Sequence, residues 1–182
     1  MKALIIIDML NGFMKDTDNP KKIIKNQISL IKSFKKHKLP IILVSGNIKS
    51  KPNPVMTWLW GEELKDNPAD KEVISELKKF KYDKHIKKSE YDVFYKTDFE
   101  KYCKQKGIDE LYFSGVFSGA CVFFSAAGTA MRGIQPILIT DATGGPRRSL
   151  VNKGWQQDTF KRFKLLIGPL TTTNKLIKLL NK

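Results

Sequence analysis

Histidine, cysteine and arginine are all scarce. The 182 residues hold two histidines, His37 and His85, two cysteines, Cys103 and Cys121, and four arginines. Two cysteines cannot build the disulfide framework of a small secreted domain, so a reducing, cytoplasmic setting is expected. Neither histidine neighbours another ligand type at metal spacing, which disfavours a zinc site built on histidine. No metal and no cofactor is expected. A Ser-His-Asp or Cys-His mechanism would have to use one of these two residues. His37 lies in the basic run Lys35-Lys36-His37-Lys38, which reads as the exposed end of a helix. No apolar run approaches the ~18 residues of a membrane span. The start, Met1 to Asp8, has an apolar stretch of five residues that ends in a carboxylate. It reads as a buried strand rather than a signal peptide.

Acidic residues are also few: 18 Asp+Glu against 33 Lys+Arg, a net charge of +15. Such an excess invites a nucleic-acid reading. Base and phosphate recognition favours the forked guanidinium, however, and here nearly all the cations are lysines. No nucleic-acid-binding motif accompanies them. The lysines are therefore read as solvated helix faces and loops, and neither a nucleic-acid nor a membrane partner is expected.

What is present is alternation. Short β-branched runs take turns with helical patterns. Strands are expected at Ala3 to Asp8, Leu39 to Val44, Lys84 to Lys88, Glu110 to Ser114, Gln135 to Thr140 and Leu165 to Gly168. Helices are expected at about Pro20 to His37, Ala69 to Phe80, Thr97 to Lys106 (capped by Thr97 and stopped by Gly107), Ala120 to Met131, about Leu150 to Arg162, and at the C-terminal end. The stretch Ser45 to Asn67, with Pro52, Pro54, Trp58 and Trp60, reads as a long functional loop. The expected fold is α/β: a three-layer α/β/α sandwich around a central, mostly parallel sheet of about six strands. Residues 1–182 show no linker or repeat and form one domain.

Ligands in such sheets bind beyond the carboxyl ends of the strands. Asp8 ends the first strand and Lys88 the third. The fourth runs into Gly115-Val116-Phe117-Ser118-Gly119-Ala120-Cys121-Val122, so Cys121 opens a helix. A helix N-terminus and a nearby ammonium each lower a thiol pKa. A carboxylate in reach can take the thiol proton and return it to a leaving amine. If these strand ends are neighbours, they supply a nucleophile, a base and a cation.

Four stretches resemble the isochorismatase-like cysteine hydrolase superfamily, which includes nicotinamidases and N-carbamoylsarcosine amidases. They are Leu4-Ile5-Ile6-Ile7-Asp8-Met9-Leu10-Asn11-Gly12-Phe13; Lys88-Ser89-Glu90-Tyr91-Asp92-Val93-Phe94; Gly115 to Val122; and Gly133 with Pro136 to Ala142. They span roughly residues 3–143 in order. The resemblance implies a catalytic triad of Asp8, Lys88 and Cys121. It also implies an oxyanion hole made by the amides of Phe117 and Cys121, with a non-proline cis peptide at Val116–Phe117. The activity it implies is cleavage of a C–N bond in a small amide or ureido compound through an acyl-enzyme. Alternatives are an isochorismatase-type vinyl-ether hydrolase, whose members can act without a cysteine nucleophile, and an inactive member of the fold. Phe13, Trp60 and Tyr91 are candidate substrate contacts, and a homodimer or homotetramer is expected.

The chain also departs from that pattern. Ser45 to Asn53 has no histidine where the family's nicotinamidases hold a metal. Gly12 stands before Phe13 in place of an acidic or aromatic residue, and Ser118 replaces a threonine. Val122-Phe123-Phe124 is apolar where polar pocket residues are common. Arg147 and Arg148 read as a solvated loop, and Asp141 and Ser149 as cap or turn residues.

Overall fold

The computed structural model describes residues 1–46, 67–147 and 154–182. Six strands form one sheet: β1 (Lys2–Ile7), β2 (Ile41–Gly46), β3 (Lys84–Lys88), β4 (Glu110–Val116), β5 (Gln135–Gly144) and β6 (Leu170–Thr171). Their order is β3-β2-β1-β4-β5-β6, and every neighbouring pair is parallel. Among the described residues, the α-helices are α1 (Asn11–Lys15), α2 (Pro20–Lys36), α3 (Ser75–Lys78), α4 (Phe99–Lys106), α5 (Cys121–Ala130), α6 (Trp155–Leu166) and α7 (Thr173–Leu180). The α/β sandwich expected from the alternation is the fold observed.

The sequence of β1 explains its place at the centre. Ala3 to Ile7 are all apolar and fully buried. Successive strand side chains point to opposite faces, so a run without polar interruption needs cover on both sides. Leu4 and Ile6 join a core that holds Ile23, Leu30 and Phe34 of α2 and Leu176 of α7. Ala3, Ile5 and Ile7 join a second core with Phe99 of α4, Val122 of α5 and Phe163 of α6.

Several elements differ from expectation, among them the helix expected from Thr97, which starts at Phe99 with Asp98 rather than Thr97 at its N-cap. Leu165 and Leu166 finish α6 and are 81% and 71% exposed. The last strand begins only at Leu170. A short apolar run does not distinguish strand from helix end by periodicity. Ala69 to Phe80 is not one helix. A 3-10 turn at Pro68–Lys71 is separated from α3 because the intervening backbone bonds elsewhere. Asn11 N donates to Glu72 O, and Ile74 N donates to Met9 O. The strand expected to stop at Thr140 runs on to Gly144. Asp141 does act as a cap: its Oδ1 accepts from Thr173 N and from Thr173 Oγ1, both at 2.8 Å, at the start of α7.

Strands β1 and β4 meet where the strand order changes direction, the position at which open α/β sheets bind their ligands. Gly115 sits there opposite Ile7 with φ +113. An added Cβ would lie 2.0 Å from Ile7 O. Both the backbone angle and the space demand glycine. Gly115→Ala is expected to destabilise the protein by at least ~2 kcal/mol, read as a lower denaturant midpoint. An unchanged midpoint would contradict the tight approach of β1 and β4.

Candidate active site

Three residues that follow or end strands converge at this switch point. Asp8 leaves β1 in the left-handed region, φ 53, a conformation that Asp tolerates better than most residues. Its amide donates to Val44 O at 2.9 Å, which keeps it tied to β2. Lys88 is the last residue of β3, two strands away from β1. The residue paired with it on the intervening β2 is Gly46, which has no side chain to obstruct its reach. Cys121 is the first residue of α5.

The three side chains meet. Lys88 Nζ lies 2.7 Å from Asp8 Oδ2 and donates to Cys121 Sγ at 3.2 Å. Its remaining proton goes to Glu90 O at 3.0 Å. Asp8 and Lys88 are 1% and 3% exposed, so this ion pair is shielded from water. Burial works against the lysine's charge. The Asp8 carboxylate and the Cys121 sulfur outweigh it, and the Lys88 pKa lies above the usual lysine value. A backbone carbonyl as third partner carries no side-chain signature, so Glu90 could not be singled out from sequence.

The thiol behaves otherwise than the helix start and the lysine led us to expect. Burial of the sulfur, and then the charge of Asp8, push the Cys121 thiol up to about 12, while Lys88 pulls the other way. The resting group is therefore S–H. Below its pKa, the thiolate fraction rises about tenfold per pH unit. Alkylation of Cys121 by iodoacetamide is expected to accelerate in that proportion from pH 7 to 9. A rate that is flat across this interval would contradict the protonated thiol. Cys103 is buried and is also pushed up to about 12, chiefly by burial, so it should lag behind the partly exposed Cys121.

The loop leading to Cys121 is fastened on both sides. Thr143 Oγ1 donates to Gly115 O at 2.7 Å, and Ser118 N donates to Gly144 O at 2.8 Å. Between these anchors the Val116–Phe117 peptide bond is cis. Phe117 O accepts from Ala120 N at 2.9 Å and from Val122 N at 3.3 Å, which folds the loop back onto the start of α5.

Of the candidate substrate contacts, Phe13 packs beside this loop, with its ring centroid 5.6 Å from that of Phe117. Tyr91 stacks on Phe124 and lines a cavity of about 530 Å³ with Ser89, Tyr95 and Lys96, a cavity to which none of Asp8, Lys88 and Cys121 contributes. Trp60, Arg148 and Ser149 lie outside the described residues. So does most of the segment after β2, whose sequence contains no histidine. Among the described residues, no group of three or more His, Cys, Asp or Glu could hold a metal ion. His37 Nδ1 is 2.8 Å from Ser33 O, and His85 Nε2 is 2.9 Å from Ser45 Oγ. His85 and Lys88 are three apart on one strand and so face opposite sides of the sheet. No described helix is long and apolar enough to cross a membrane.

The family model described as "Isochorismatase domain" matches residues 2–175. The chain belongs to the isochorismatase family. Nicotinamidase 3 of Arabidopsis thaliana is 28% identical over 145 residues, which cover 78% of this chain and 72% of that protein. The chain spans about half the length of several further curated relatives. Among solved structures, a cysteine hydrolase from Pseudomonas syringae pv. phaseolicola superimposes with a TM-score of 0.85 at 19% identity, covering 99% of this chain and 92% of that one. N-carbamoylsarcosine amidase from Thermoplasma acidophilum gives 0.79 at 23% identity, covering 95% and 96%. These structural likenesses speak for the fold. The family match is what makes this protein an isochorismatase-family hydrolase.

Proposed function

We propose that this family member is a cysteine hydrolase that cleaves the C–N bond of a small amide or ureido compound. The observation that carries the proposal is Lys88 Nζ held between Asp8 Oδ2 and Cys121 Sγ in a site shielded from water. The likeness to a nicotinamidase and to an amidase structure supports amide chemistry.

In this reading Asp8 is the base, which a thiol held protonated requires. As Sγ attacks the carbonyl carbon, the S–C bond forms and the thiol proton passes to the Asp8 carboxylate. The amides of Phe117 and Cys121 receive the developing oxyanion. Cys121 stands at N1 of α5, where an amide has no acceptor within its own helix. The C–N bond then breaks, and Asp8 returns the proton to the leaving nitrogen. Water adds to the thioester carbon and gives a proton to Asp8; the C–S bond then breaks as Asp8 returns that proton to Sγ, which restores the resting thiol. Lys88 keeps its charge throughout and balances first the carboxylate and then the departing thiolate.

The test is Cys121→Ala against a panel of small amides and ureido compounds, with isochorismate as the vinyl-ether control. Hydrolysis of at least one amide by the wild type, lost by at least about 10⁴-fold in the variant, is expected. Turnover of isochorismate alone, or an unimpaired variant, would refute the proposal.

A further inference from the structure

Gly119 and Gly145 stand on two different loops, and neither has a positive φ. Turn geometry therefore does not explain why glycine occupies them. The indole of Trp155 does. A Cβ at Gly119 would lie 2.6 Å from Trp155 Cζ2 and 2.7 Å from Cη2. One at Gly145 would lie 2.7 Å from Cζ3 and 2.9 Å from Cε3. The benzo edge of one side chain is thus wedged between the loop that precedes Cys121 and the loop that follows β5. Close approach of another group is a recurring reason for glycine.

The wedge is backed by hydrogen bonds from the same turn of α6. Gln156 Oε1 accepts from Gly145 N at 3.1 Å, and Gln156 Nε2 donates to Thr143 O at 3.2 Å. The end of β5 in turn holds Gly115 O and Ser118 N, the two anchors that flank the cis peptide. A continuous set of contacts therefore runs from the first turn of α6, through β5, to the backbone between Val116 and Cys121. Trp155 touches both ends of it.

We infer that Trp155 is a positioning residue, which holds the Gly119 loop so that the amides of Phe117 and Cys121 point at the developing oxyanion. This rests on the hydrolase reading above. It adds a residue that touches none of the reacting atoms. The expected signature is a split between two reactions of the same thiol. Acylation by p-nitrophenyl acetate forms the Sγ–C bond, passes the thiol proton to Asp8, builds negative charge on the carbonyl oxygen and expels p-nitrophenolate. Alkylation by iodoacetamide displaces iodide at a saturated carbon and builds no oxyanion. A loosened loop should slow the first and spare the second.

Trp155→Ala is expected to lower the rate of acylation at Cys121 about 10²-fold, with alkylation within about threefold of wild type. Trp155→Phe, which keeps a ring in the gap, should recover most of the loss. Gly119→Ala should reproduce the defect by pushing on the indole. Adding Trp155→Ala to it should cost little more, because the two act as one unit. Acylation and alkylation falling together would reduce Trp155 to a structural role and overturn the inference. So would acylation of Trp155→Ala within about threefold of wild type. A wild-type protein that is alkylated at Cys121 but never acylated would instead overturn the hydrolase reading, and the Trp155 inference with it.

Discussion

Asp8→Asn is expected to slow hydrolysis about 10³-fold and, at the same time, to speed alkylation of Cys121 at pH 7. The opposite signs follow from the geometry. Asp8 raises the thiol pKa through its charge and its hydrogen bond to the thiol, whereas Lys88 lowers it. With the carboxylate gone, Lys88 faces the sulfur alone, so the pKa falls and more thiolate is present at neutral pH. The thiolate then takes over as counter-charge to the buried ammonium. Hydrolysis fails nonetheless, because no group remains to protonate the leaving nitrogen or to activate water. Alkylation that slowed in parallel with hydrolysis would mean that Asp8 already activates the thiol in the resting enzyme, contrary to this account.

Lys88→Met should produce the largest loss of stability. It leaves the Asp8 carboxylate, 1% exposed, with no cation beside it. Breaking a buried ion pair from one side costs about 3–5 kcal/mol. In a chain of this size that lowers Tm by about 10 °C. Joining Asp8→Asn to Lys88→Met removes the stranded charge and should restore more than half of the loss. The pKa of Lys88 is raised in the folded protein, so the pair's contribution is complete below the ordinary lysine pKa. It fades only as pH rises through the higher folded value, and the effect should therefore be full at pH 7. A Lys88→Met protein that melted within about 2 °C of wild type would contradict the buried pair.

How much of this was legible in the sequence depended on how local the cause was. The apolar run Ala3 to Ile7 announces a central strand by itself, since only a strand covered on both faces tolerates it. Cys121 at a helix start, Gly107 as a helix stop and Asp141 as a cap are likewise local matters, and the structure has them so. The meeting of Lys88 with Asp8 is not local. It requires β2 between β3 and β1, and a residue as small as Gly46 beside Lys88. Spacing within a motif points to such a meeting without containing the strand order. Leu165 and Leu166 misled because an apolar pair on an exposed helix end looks like a strand when its neighbours in space are unknown. The same holds for Ala69 to Phe80, whose helical pattern is broken at Glu72 to Ile74 by backbone partners near Met9 and Asn11. The direction of the Cys121 shift is hidden from the sequence for a related reason. A helix terminus and a lysine can be counted from sequence, but the burial that outweighs them cannot. Trp155 leaves no signal, because what it complements is the missing Cβ of two glycines on separate loops.

The excess of lysine is legible as composition and mute as function. Lys88 differs from its neighbours Lys84 and Lys87 only in register. Lys88 lies at the carboxyl end of β3 on the face that carries Ile86, whereas Lys84 shares that face at the other end of the strand and Lys87 points to the opposite face.

The most direct test of the central claim is intact-mass and peptide analysis of the protein quenched during reaction with p-nitrophenyl acetate. One acyl group per chain is expected, on the peptide containing Cys121, absent from Cys121→Ala and lost with time in water. An adduct on Cys103, or release of p-nitrophenolate by Cys121→Ala at the wild-type rate, would contradict it.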